Sequence, residues 1–348
     1  MSRSVLFVLR KLAIGGAERV AADLATALVK EGHRVGVLHF SPAASDRSQS
    51  SAREWFPAAT LIHADRHDRD RPLPAALAEV DADTLVLCGP SPAYQQLGAA
   101  HALNPALRIV GFMFNARQLI DEHRRNAAHI DRVICESAEA AAALTGNSET
   151  VLPVSVVPSG VDVDAILRRK VAPASTGPLT VGFVGRFDRT KNPQGFLRIA
   201  AALRRQNLRF VMAGPAPRQF TPPPWVDYRG ALLGEDKERL LDEIDILVVP
   251  SRNDGRPLVI HEMQARGRVV VAAAVGAIPD LIEDGVNGVL CAPNDTAAFC
   301  AAIKRLSLDH GLRTRLGDEA RRRVKHQGDW STSLPLYLAA ILGDDEAE

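Results

Sequence analysis

Short apolar runs separated by helical patterns fill the first half of the chain. Residues 5–9 are apolar without interruption, and a helical pattern over residues 17–30 carries Val20, Leu24 and Leu28 on one face. Further apolar runs predict strands at residues 35–39, 60–63, 85–88, 108–112 and 133–135. Because these strands lack internal alternation and are separated by helices, they predict a parallel sheet covered on both faces.

The same alternation resumes after a composition change. The segment 168–177 is charged and then rich in Pro, Ser, Thr and Gly, which predicts a connection between two domains. Beyond it, the pattern predicts strands at 179–184, 209–213, 226–228, 246–249, 269–273 and 289–291, and helices at 194–205, 258–266 and 296–306. We therefore expect two doubly wound α/β halves, with ligands bound beyond the carboxyl ends of the strands, in the cleft between the halves.

Composition and charge exclude several classes of protein. The 348 residues suffice for two domains, and the balance of 42 basic against 41 acidic side chains disfavours a general attraction to nucleic acid. The four cysteines have no C-x-x-C spacing, so we expect reduced, buried thiols, and the absence of His or Cys clusters predicts no metal site. The arginine-rich segment 313–326 carries apolar residues at helical spacing, which favours a solvated amphipathic helix over a nucleic-acid surface.

Targeting segments are also missing from the pattern. No signal peptide is recognisable at the first apolar run, and no apolar run reaches the ~20 residues that span a bilayer. Residues 41–71 are polar and are predicted to form a loop. We expect a soluble, cytoplasmic protein that touches a membrane only peripherally, at its inner face.

The most informative chemistry follows the predicted strand 246–249. Asp254 and Glu262 stand on either side of a Gly255-Arg256-Pro257 turn, and Pro257 suits the first position of the next helix. Backbone N–H groups at such a helix start favour phosphate, and carboxylates accept hydrogen bonds from sugar hydroxyls. The junction therefore predicts a site for a nucleotide-sugar.

A second junction follows the predicted strand 179–184. Arg186 and Lys191 flank the turn into the next helix, and two cations there suit the developing charge of a diphosphate leaving group. Surface cations that cap local loops are the alternative explanation. The Asp254/Glu262 junction at a later strand end favours the diphosphate.

An ordered set of motifs through nearly the whole chain resembles the retaining GT-B glycosyltransferases of family 4, also called group 1. The motifs are Gly15-Gly16-Ala17-Glu18-Arg19, Val157-Pro158-Ser159-Gly160-Val161-Asp162, Gly185-Arg186 with Lys191, Arg229-Gly230, Pro250-Ser251, Gly276-Ala277-Ile278-Pro279-Asp280 and Asp284-Gly285-Val286-Asn287-Gly288. The resemblance implies a GT-B fold of two Rossmann-like domains facing each other across a cleft. Residues 1–160 would form the acceptor-side domain, 161–330 the nucleotide-sugar domain, and 331–348 a terminal helix that returns to the first domain, followed by an acidic tail.

The resemblance also implies roles for individual residues. Arg186 and Lys191 would hold the diphosphate, Glu262 the ribose hydroxyls, and Asp254 the transferred sugar. Backbone atoms would supply most of the remaining donor contacts, from Gly15 and Gly16, from Gly255, Arg256, Leu258 and Val259, and near the base from Gly230, Ala231 and Leu232. The implied mechanism needs neither a metal nor an enzyme nucleophile, because the leaving diphosphate helps to deprotonate the acceptor hydroxyl.

Several positions depart from the family pattern, among them Asp280 in place of the usual Glu and the loop Gly214-Pro215-Ala216-Pro217 in place of a Gly-x-Gly. Asp254 replaces the usual Glu, and Asn115 stands where many members have a histidine that positions the sugar, so it would bond a hydroxyl without titrating. Arg256 replaces a Phe, and it would either reach a phosphate or an acidic sugar or remain a solvated loop arginine.

We therefore expect a glycosyltransferase that moves a hexose from a UDP- or GDP-sugar to a glycan or lipid-linked acceptor. A catalytically silent GT-B domain that binds nucleotide or glycan as a scaffold is the alternative. A sugar-nucleotide epimerase on the same fold is disfavoured by Asn115, and a dehydrogenase is disfavoured because no G-x-G-x-x-G opens either half.

Overall fold

A computed structural model describes residues 2–12, 15–40, 54–64, 72–89, 92–146, 152–169 and 178–344. The acidic end of the tail, most of the predicted connection 168–177 and most of the predicted loop 41–71 lie outside these ranges. The described chain divides into two compact units. The first unit contains the residues up to Pro158 and those from Ser333 onward, and the second contains Ser159–Thr332.

Among its described residues, the first unit is built on a sheet of seven parallel strands in the order β3-β2-β1-β4-β5-β6-β7. Its strands are β1 (Ser4–Leu9), β2 (Arg34–His39), β3 (Thr60–His63), β4 (Thr84–Cys88), β5 (Arg108–Met113), β6 (Arg132–Cys135) and β7 (Val154–Val156). Its α-helices before residue 159 are α1 (Gly16–Lys30), α2 (Pro72–Val80), α3 (Leu97–Leu103), α4 (Ile120–Arg125) and α5 (Ala138–Thr145). Leu6 pairs with Gly36 on one side and Leu85 on the other, and all three are buried within the sheet.

In the part of the second unit that the structure describes, six parallel strands lie in the order β10-β9-β8-β11-β12-β13. They are β8 (Leu179–Val184), β9 (Leu208–Ala213), β10 (Val226–Tyr228), β11 (Ile246–Val249), β12 (Val269–Ala273) and β13 (Val289–Cys291). The helices are α6 (Val163–Leu167), α7 (Pro193–Leu203), α8 (Gly234–Glu243), α9 (Leu258–Ala265), α10 (Ile278–Leu281), α11 (Thr296–Leu308) and α12 (His310–Gln327). Phe210 and Met212 pack into the core on one face of this sheet, and Val211 and Leu247 into the core on the other.

The order of the strands places a topological switch in the second unit between β8 and β11. From β8 the chain continues to β9 on one side, and β11 lies on the other side of β8. The loops that leave two such strands diverge to opposite faces of the sheet, so a crevice opens between them at the carboxyl ends. The loops after β8 and β11 carry the two predicted charged junctions.

The chain returns to the first unit through the helix α13 (Trp330–Leu342). Within the first unit, Tyr337 of this helix stacks on Phe112 with ring centroids 5.7 Å apart, and its hydroxyl donates to the carbonyl of Val157 at 2.8 Å. The Arg108 side chain donates to the carbonyls of Ala340 and Ile341, which satisfies acceptors at the end of the helix.

Most predicted elements are confirmed, and the exceptions have local causes. The predicted connection 168–177 is wrong, because the chain passes between the units at Pro158–Ser159 and Val163 and Ile166 of α6 are already buried against Ala265 and Val324 of the second unit. The strand β7 and the helices α2 to α6, α8 and α10 were not predicted. β7 is a short Val-Ser-Val segment with no buried position, and α8 is a polar helix with few apolar positions.

Helix α12 confirms the amphipathic interpretation of the arginine-rich segment. Its Leu312, Leu316, Ala320 and Val324 are buried. Charged residues of its other face form ion pairs, such as Arg323 with Glu319 at 2.6 Å. The four cysteines are free thiols, and burial raises the pKa of Cys291 to about 11 and that of Cys135 to about 12. Over the described ranges, no helix combines the length and the apolar character that crossing a membrane requires.

Candidate active site

The two predicted junctions of the second unit meet through an ion pair. The Nζ of Lys191, in the loop after β8, lies 2.8 Å from Oδ1 and 2.6 Å from Oδ2 of Asp254, in the loop after β11. The hydroxyl of Ser251 donates to Asp254 Oδ2 at 3.0 Å. The Asp254 side chain is 10% exposed and that of Lys191 is 22% exposed, so the pair is largely shielded from water.

Asn192 fixes the two loops to one another beside this pair. Its backbone is left-handed, with φ 55°, and its side-chain oxygen accepts from the N–H of Gly195 at the start of α7. Its side-chain amide donates to the carbonyl of Pro250 at 2.9 Å, and the N–H of Arg252 donates to the carbonyl of Thr190 at 2.8 Å. The loops therefore form one hydrogen-bonded surface at the switch point.

A second cation borders this surface. Arg186 Nε lies 3.0 Å from Asp188 Oδ2, and the N–H of Lys191 donates to Asp188 Oδ1 at 2.9 Å. Burial alone raises the pKa of the Asp188 carboxyl, but the hydrogen bonds from Lys191 and Arg186 and their charges outweigh burial and hold the pKa below its usual value. Arg186 is 42% exposed, so its guanidinium is accessible to an anionic ligand.

Two glycines allow neighbouring loops to approach these turns closely. A Cβ at Gly214 would lie 1.9 Å from the carbonyl oxygen of Gly185, and a Cβ at Gly276 would lie 1.8 Å from that of Asp254. Both glycines have positive φ, 139° and 53°. Only glycine fits these positions without displacing the charged turns.

Glu262 lies on α9 and has an asymmetric environment. Its Oε1 lies 2.5 Å from Nζ of Lys237 on α8, whereas its Oε2 is buried and has no hydrogen-bond partner among the described residues. The residue as a whole is 9% exposed. A buried carboxylate oxygen without a donor is costly, which indicates a place that a ligand or water completes.

The helix start in front of Glu262 differs slightly from the prediction. Helix α9 begins at Leu258, and Pro257 precedes it with ψ 111°, so Pro257 caps the helix instead of occupying its first position. Within the described residues no side chain caps this end. The amides of Leu258 and Val259 therefore remain at an uncapped helix start, as an anion site requires.

The Arg256 side chain contradicts one of the two alternatives proposed for it, that of a solvated loop arginine. Its Nε donates to the carbonyl of Ser159 at 3.1 Å and its Nη2 to the carbonyl of Gln327 at 2.7 Å. These carbonyls belong to the segments where the chain enters and leaves the second unit, which pair through Val161 N–H to Gly328 O at 2.8 Å. The arginine ties the Asp254 turn to these segments, so its side chain is not a solvated loop group, and its reach toward a phosphate or an acidic sugar stays a prediction.

The loop predicted to lie near the base follows β10 at the same edge of the sheet. Gly230 has φ 72°, and its carbonyl accepts from the N–H of Gly214 at 2.7 Å. Ala231 is exposed, and the partly buried Leu232 packs against the core of the second unit. The three residues thus border the Gly214 loop.

The remaining predicted residues lie in the first unit. Gly15 caps α1 in an extended conformation, and a Cβ at Gly16 would meet nothing within 4 Å, so no described neighbour demands a glycine at Gly16. Asn115 follows β5, and its side-chain oxygen accepts from the N–H groups of Arg117 at 3.0 Å and Gln118 at 3.1 Å. The amide nitrogen of Asn115 is the atom left to donate to a hydroxyl.

Sequence reasoning missed several polar members of the second-unit site. Ser251 belongs to the Pro250-Ser251 motif but was given no role, and Asp188 lies two positions after Arg186, so both could have been found from the turns they occupy. Lys237 lies in a highly charged helix, Gly234-Glu235-Asp236-Lys237-Glu238, where nothing in the sequence separates it from a solvated surface cation. Within the described ranges, no three His, Cys, Asp or Glu side chains gather as a metal-binding group.

Comparison with known proteins identifies the family. The family described as Glycosyltransferase Family 4 matches residues 14–165, and the one described as Glycosyl transferases group 1 matches residues 178–309. A D-inositol 3-phosphate glycosyltransferase of Actinosynnema mirum is 32% identical over 273 residues, which cover 70% of this chain and 62% of the relative. The corresponding protein of Salinispora arenicola is 30% identical over 263 residues, 66% of this chain and 56% of the relative. The chain thus spans little more than half the length of these curated relatives.

Solved structures agree in fold over nearly the whole chain. Sucrose-phosphate synthase from Thermosynechococcus elongatus superposes with a TM-score of 0.77 at 18% identity and covers 99% of this chain and 100% of its own. Anabaena HepE in complex with UDP-glucose superposes with a TM-score of 0.77 at 18% identity, and the match covers 98% of this chain and 100% of HepE. A glycosyltransferase from Rickettsia africae superposes with a TM-score of 0.78 at 17% identity, and the match covers 98% of this chain and 99% of the Rickettsia protein. Together with the family matches, this two-domain α/β fold shows that the chain belongs to the group 1 glycosyltransferases of family 4.

Proposed function

We propose that this chain transfers a hexose from a UDP- or GDP-sugar to a hydroxyl of a glycan or lipid-linked acceptor, with retention of configuration and without a metal. The observation that carries the proposal is the Lys191–Asp254 pair at the switch point of the second unit, with Arg186 accessible beside it. Cations next to an uncapped helix start favour a diphosphate, and carboxylates at the same sheet edge favour hydroxyls.

The diphosphate is the group that Arg186 and Lys191 would hold. Cleavage of the sugar–phosphate bond leaves negative charge on the phosphate oxygen, and fixed cations stabilise that charge more than they stabilise the intact donor. Asp254 keeps Lys191 aimed at the switch point with 2.6 and 2.8 Å contacts, so little reorganisation is needed when the charge develops. Retention follows if the acceptor attacks the face that the diphosphate leaves, with a phosphate oxygen taking the acceptor proton.

The two carboxylates would divide the hydroxyls of the donor. Oε2 of Glu262, which has no partner among the described residues, would accept a hydrogen bond from a ribose hydroxyl. This is the role that the family resemblance implies for Glu262. Asp254 is one methylene shorter than the family's Glu, and both its oxygens already accept from Lys191, so a bridging water is the simplest route from Asp254 to the sugar. Gly15, Gly16 and Asn115 keep their proposed roles toward the donor phosphate, the acceptor and the sugar.

Relatives and neighbours guide the choice of substrates. The Anabaena HepE structures are complexes with UDP and UDP-glucose, which supports a uridine donor as the first to test. The curated relatives are named for D-inositol 3-phosphate, which supports a phosphorylated polyol beside glycan and lipid-linked acceptors. Peripheral contact with a membrane would follow from a lipid-linked acceptor.

Transfer assays with defined donors test the proposal. UDP-glucose, UDP-N-acetylglucosamine and GDP-mannose are each incubated with the three acceptor classes, with and without a chelator, and the product's anomeric configuration is read by NMR. We expect one donor to turn over in the presence of chelator with the donor's configuration kept, and Lys191→Gln to abolish it. An inverted product or a chelator-sensitive reaction would contradict the proposed mechanism, and nucleotide binding without any turnover would favour the silent scaffold.

A further inference from the structure

A lysine of helix α8 contacts the carboxylate that the proposed function assigns to the ribose. Lys237 Nζ lies 2.5 Å from Glu262 Oε1, and the two side chains are 29% and 12% exposed. Neither the motifs of the sequence nor the junction chemistry assigns Lys237 a role. The pair joins two helices that are separated along the chain by strand β11.

The contact with Lys237 involves only one of the two carboxylate oxygens of Glu262. Oε1 is held by the ammonium group, and Oε2 is buried without a partner among the described residues. A carboxylate with one oxygen fixed has lost its freedom to rotate, so the direction of the other oxygen is set before a ligand arrives. The cation also compensates a negative charge that is nine-tenths buried.

The helix that carries Lys237 is itself fixed against α9. Arg266, the residue that caps the end of α9, has a fully buried side chain and binds Asp242 of α8 with Nε 2.8 Å from Oδ1, and it also forms an ion pair with Glu238. The same guanidinium donates from Nη1 to the backbone carbonyl of Glu262 at 3.0 Å. One arginine therefore holds Glu238, the residue next to Lys237 in α8, and the backbone of Glu262. The Lys237–Glu262 contact thus joins two positions that Arg266 fixes relative to one another.

We propose that Lys237 is a positioning residue for the donor. It holds Glu262 so that Oε2 accepts a hydrogen bond from a ribose hydroxyl of the nucleotide, and it thereby gives the site its preference for a ribonucleotide. The inference rests on the proposed function, because it takes from it the assignment of Glu262 to the ribose.

A hydroxyl-deletion cycle tests this role by titration calorimetry. Dissociation constants are measured for UDP and 2′,3′-dideoxy-UDP, or for the guanosine pair if GDP binds more tightly, with wild type, Lys237→Gln, Lys237→Arg and Arg239→Gln. Arg239 is the matched control, because it removes one positive charge from an exposed position of the same helix. Wild type should prefer the ribonucleotide by roughly tenfold or more, the value of a hydrogen bond to a charged group.

The expected result is specific to the hydroxyls. Lys237→Gln should bind UDP roughly tenfold more weakly and bind the dideoxy analogue almost as well as wild type, so that most of the ribose preference disappears. Lys237→Arg, which keeps a cation, and Arg239→Gln should both retain the preference. In a Glu262→Gln background, the additional Lys237→Gln change should not alter the preference further.

Other outcomes overturn the inference in distinguishable ways. An equal loss of affinity for both nucleotides in Lys237→Gln would show a general structural or charge effect, and an unchanged preference would show that Lys237 plays no part. Neither of these two results would contradict the assignment of the donor site. If wild type binds none of the nucleotides, the proposed function falls together with this inference.

Discussion

Lys191 and Asp254 lie on different strand–helix loops, and their side chains meet with Nζ 2.6 Å from Oδ2. The contact joins the ends of β8 and β11, the two strands that flank the switch point of the second unit. A cation held in place by a carboxylate is oriented but partly neutralised, and an arriving diphosphate competes with the carboxylate for it. The pair therefore predicts opposite effects of removing its two members.

Removal of the lysine should weaken binding, whereas neutralisation of the aspartate should not. We expect Lys191→Gln to reduce affinity for a nucleoside diphosphate by roughly ten- to a hundredfold, because a charge-assisted contact to phosphate is lost. Asp254→Asn should bind the diphosphate as tightly as wild type or more tightly, since Lys191 keeps its charge, while transfer falls because the lysine is no longer oriented. Calorimetry and initial-rate kinetics separate the two effects, and a parallel fall of affinity and rate in Asp254→Asn would contradict this account of the pair.

Substitution of Gly276 by alanine should reduce activity, because the added methyl group would collide with the backbone of Asp254. A Cβ there would lie 1.8 Å from the Asp254 carbonyl oxygen, whereas a Cβ at Gly285 would meet nothing within 4 Å. Both residues have positive φ, so both alanine variants carry backbone strain of about 1 kcal/mol. Gly276→Ala should in addition displace the Asp254 turn and reduce transfer by roughly a hundredfold, as a misplacement of about 1 Å can. Comparable rates in Gly276→Ala and Gly285→Ala would refute the role assigned to this close approach.

Arg256 should contribute to stability rather than to donor recognition. Its two hydrogen bonds to the carbonyls of Ser159 and Gln327 predict that Arg256→Gln loses about 1–3 kcal/mol of unfolding free energy. Arg252→Gln, two positions from Asp254 and exposed, is the matched control and should change stability by less than about 0.5 kcal/mol. Urea unfolding measures both, and a stable Arg256→Gln protein with weakened phosphate binding would restore the phosphate-ligand interpretation.

Buried His261 predicts loss of stability in mild acid. Burial, and secondarily the charge of Arg256, lower the pKa of His261 to about 3 from its usual 6.5. Below about pH 6.5 His261 therefore binds a proton in the unfolded chain but not in the folded chain. As the pH falls, this residue lowers the free energy of unfolding by up to about 1.4 kcal/mol per pH unit. His123, buried in the first unit with a pKa lowered to about 4 by burial, acts in the same direction.

The contribution of His261 is measured as a slope. The free energy of urea unfolding is followed between about pH 7 and pH 5 for wild type, His261→Gln and, as control, the exposed His326→Gln. His261→Gln should have a shallower dependence on pH than wild type, whatever its absolute stability, and the control should match wild type. A slope unchanged in His261→Gln would contradict this, because it would show that the imidazole takes up its proton over the same pH range in the folded and the unfolded chain.

Local patterns predicted the sheets and the charged junctions. Most strands of the second unit are apolar runs bounded by turn residues, and β8 and β10 to β13 have their predicted bounds. Arg186, Lys191, Asp254 and Glu262 stand within a few residues of a strand end or helix start, and their positions follow from that placement.

Contacts that depend on tertiary register could not be predicted in the same way. Lys237 meets Glu262 only because α8 and α9 pack with one particular rotation, which Arg266 fixes. Arg256 binds backbone carbonyls, which leave no trace in the side-chain pattern. The need for glycine at Gly276 likewise arises from a loop distant along the chain, that of Asp254.

Calorimetric titration of UDP, GDP, ADP and CDP into wild type and Glu262→Gln tests the donor site most directly. Glu262→Gln keeps the shape of the side chain and removes the charge that Lys237 pairs with. We expect wild type to bind one of the four diphosphates preferentially and Glu262→Gln to bind it at least roughly tenfold more weakly. Absence of binding by all four, or equal binding by wild type and Glu262→Gln, would contradict the assignment of this surface to a nucleotide-sugar.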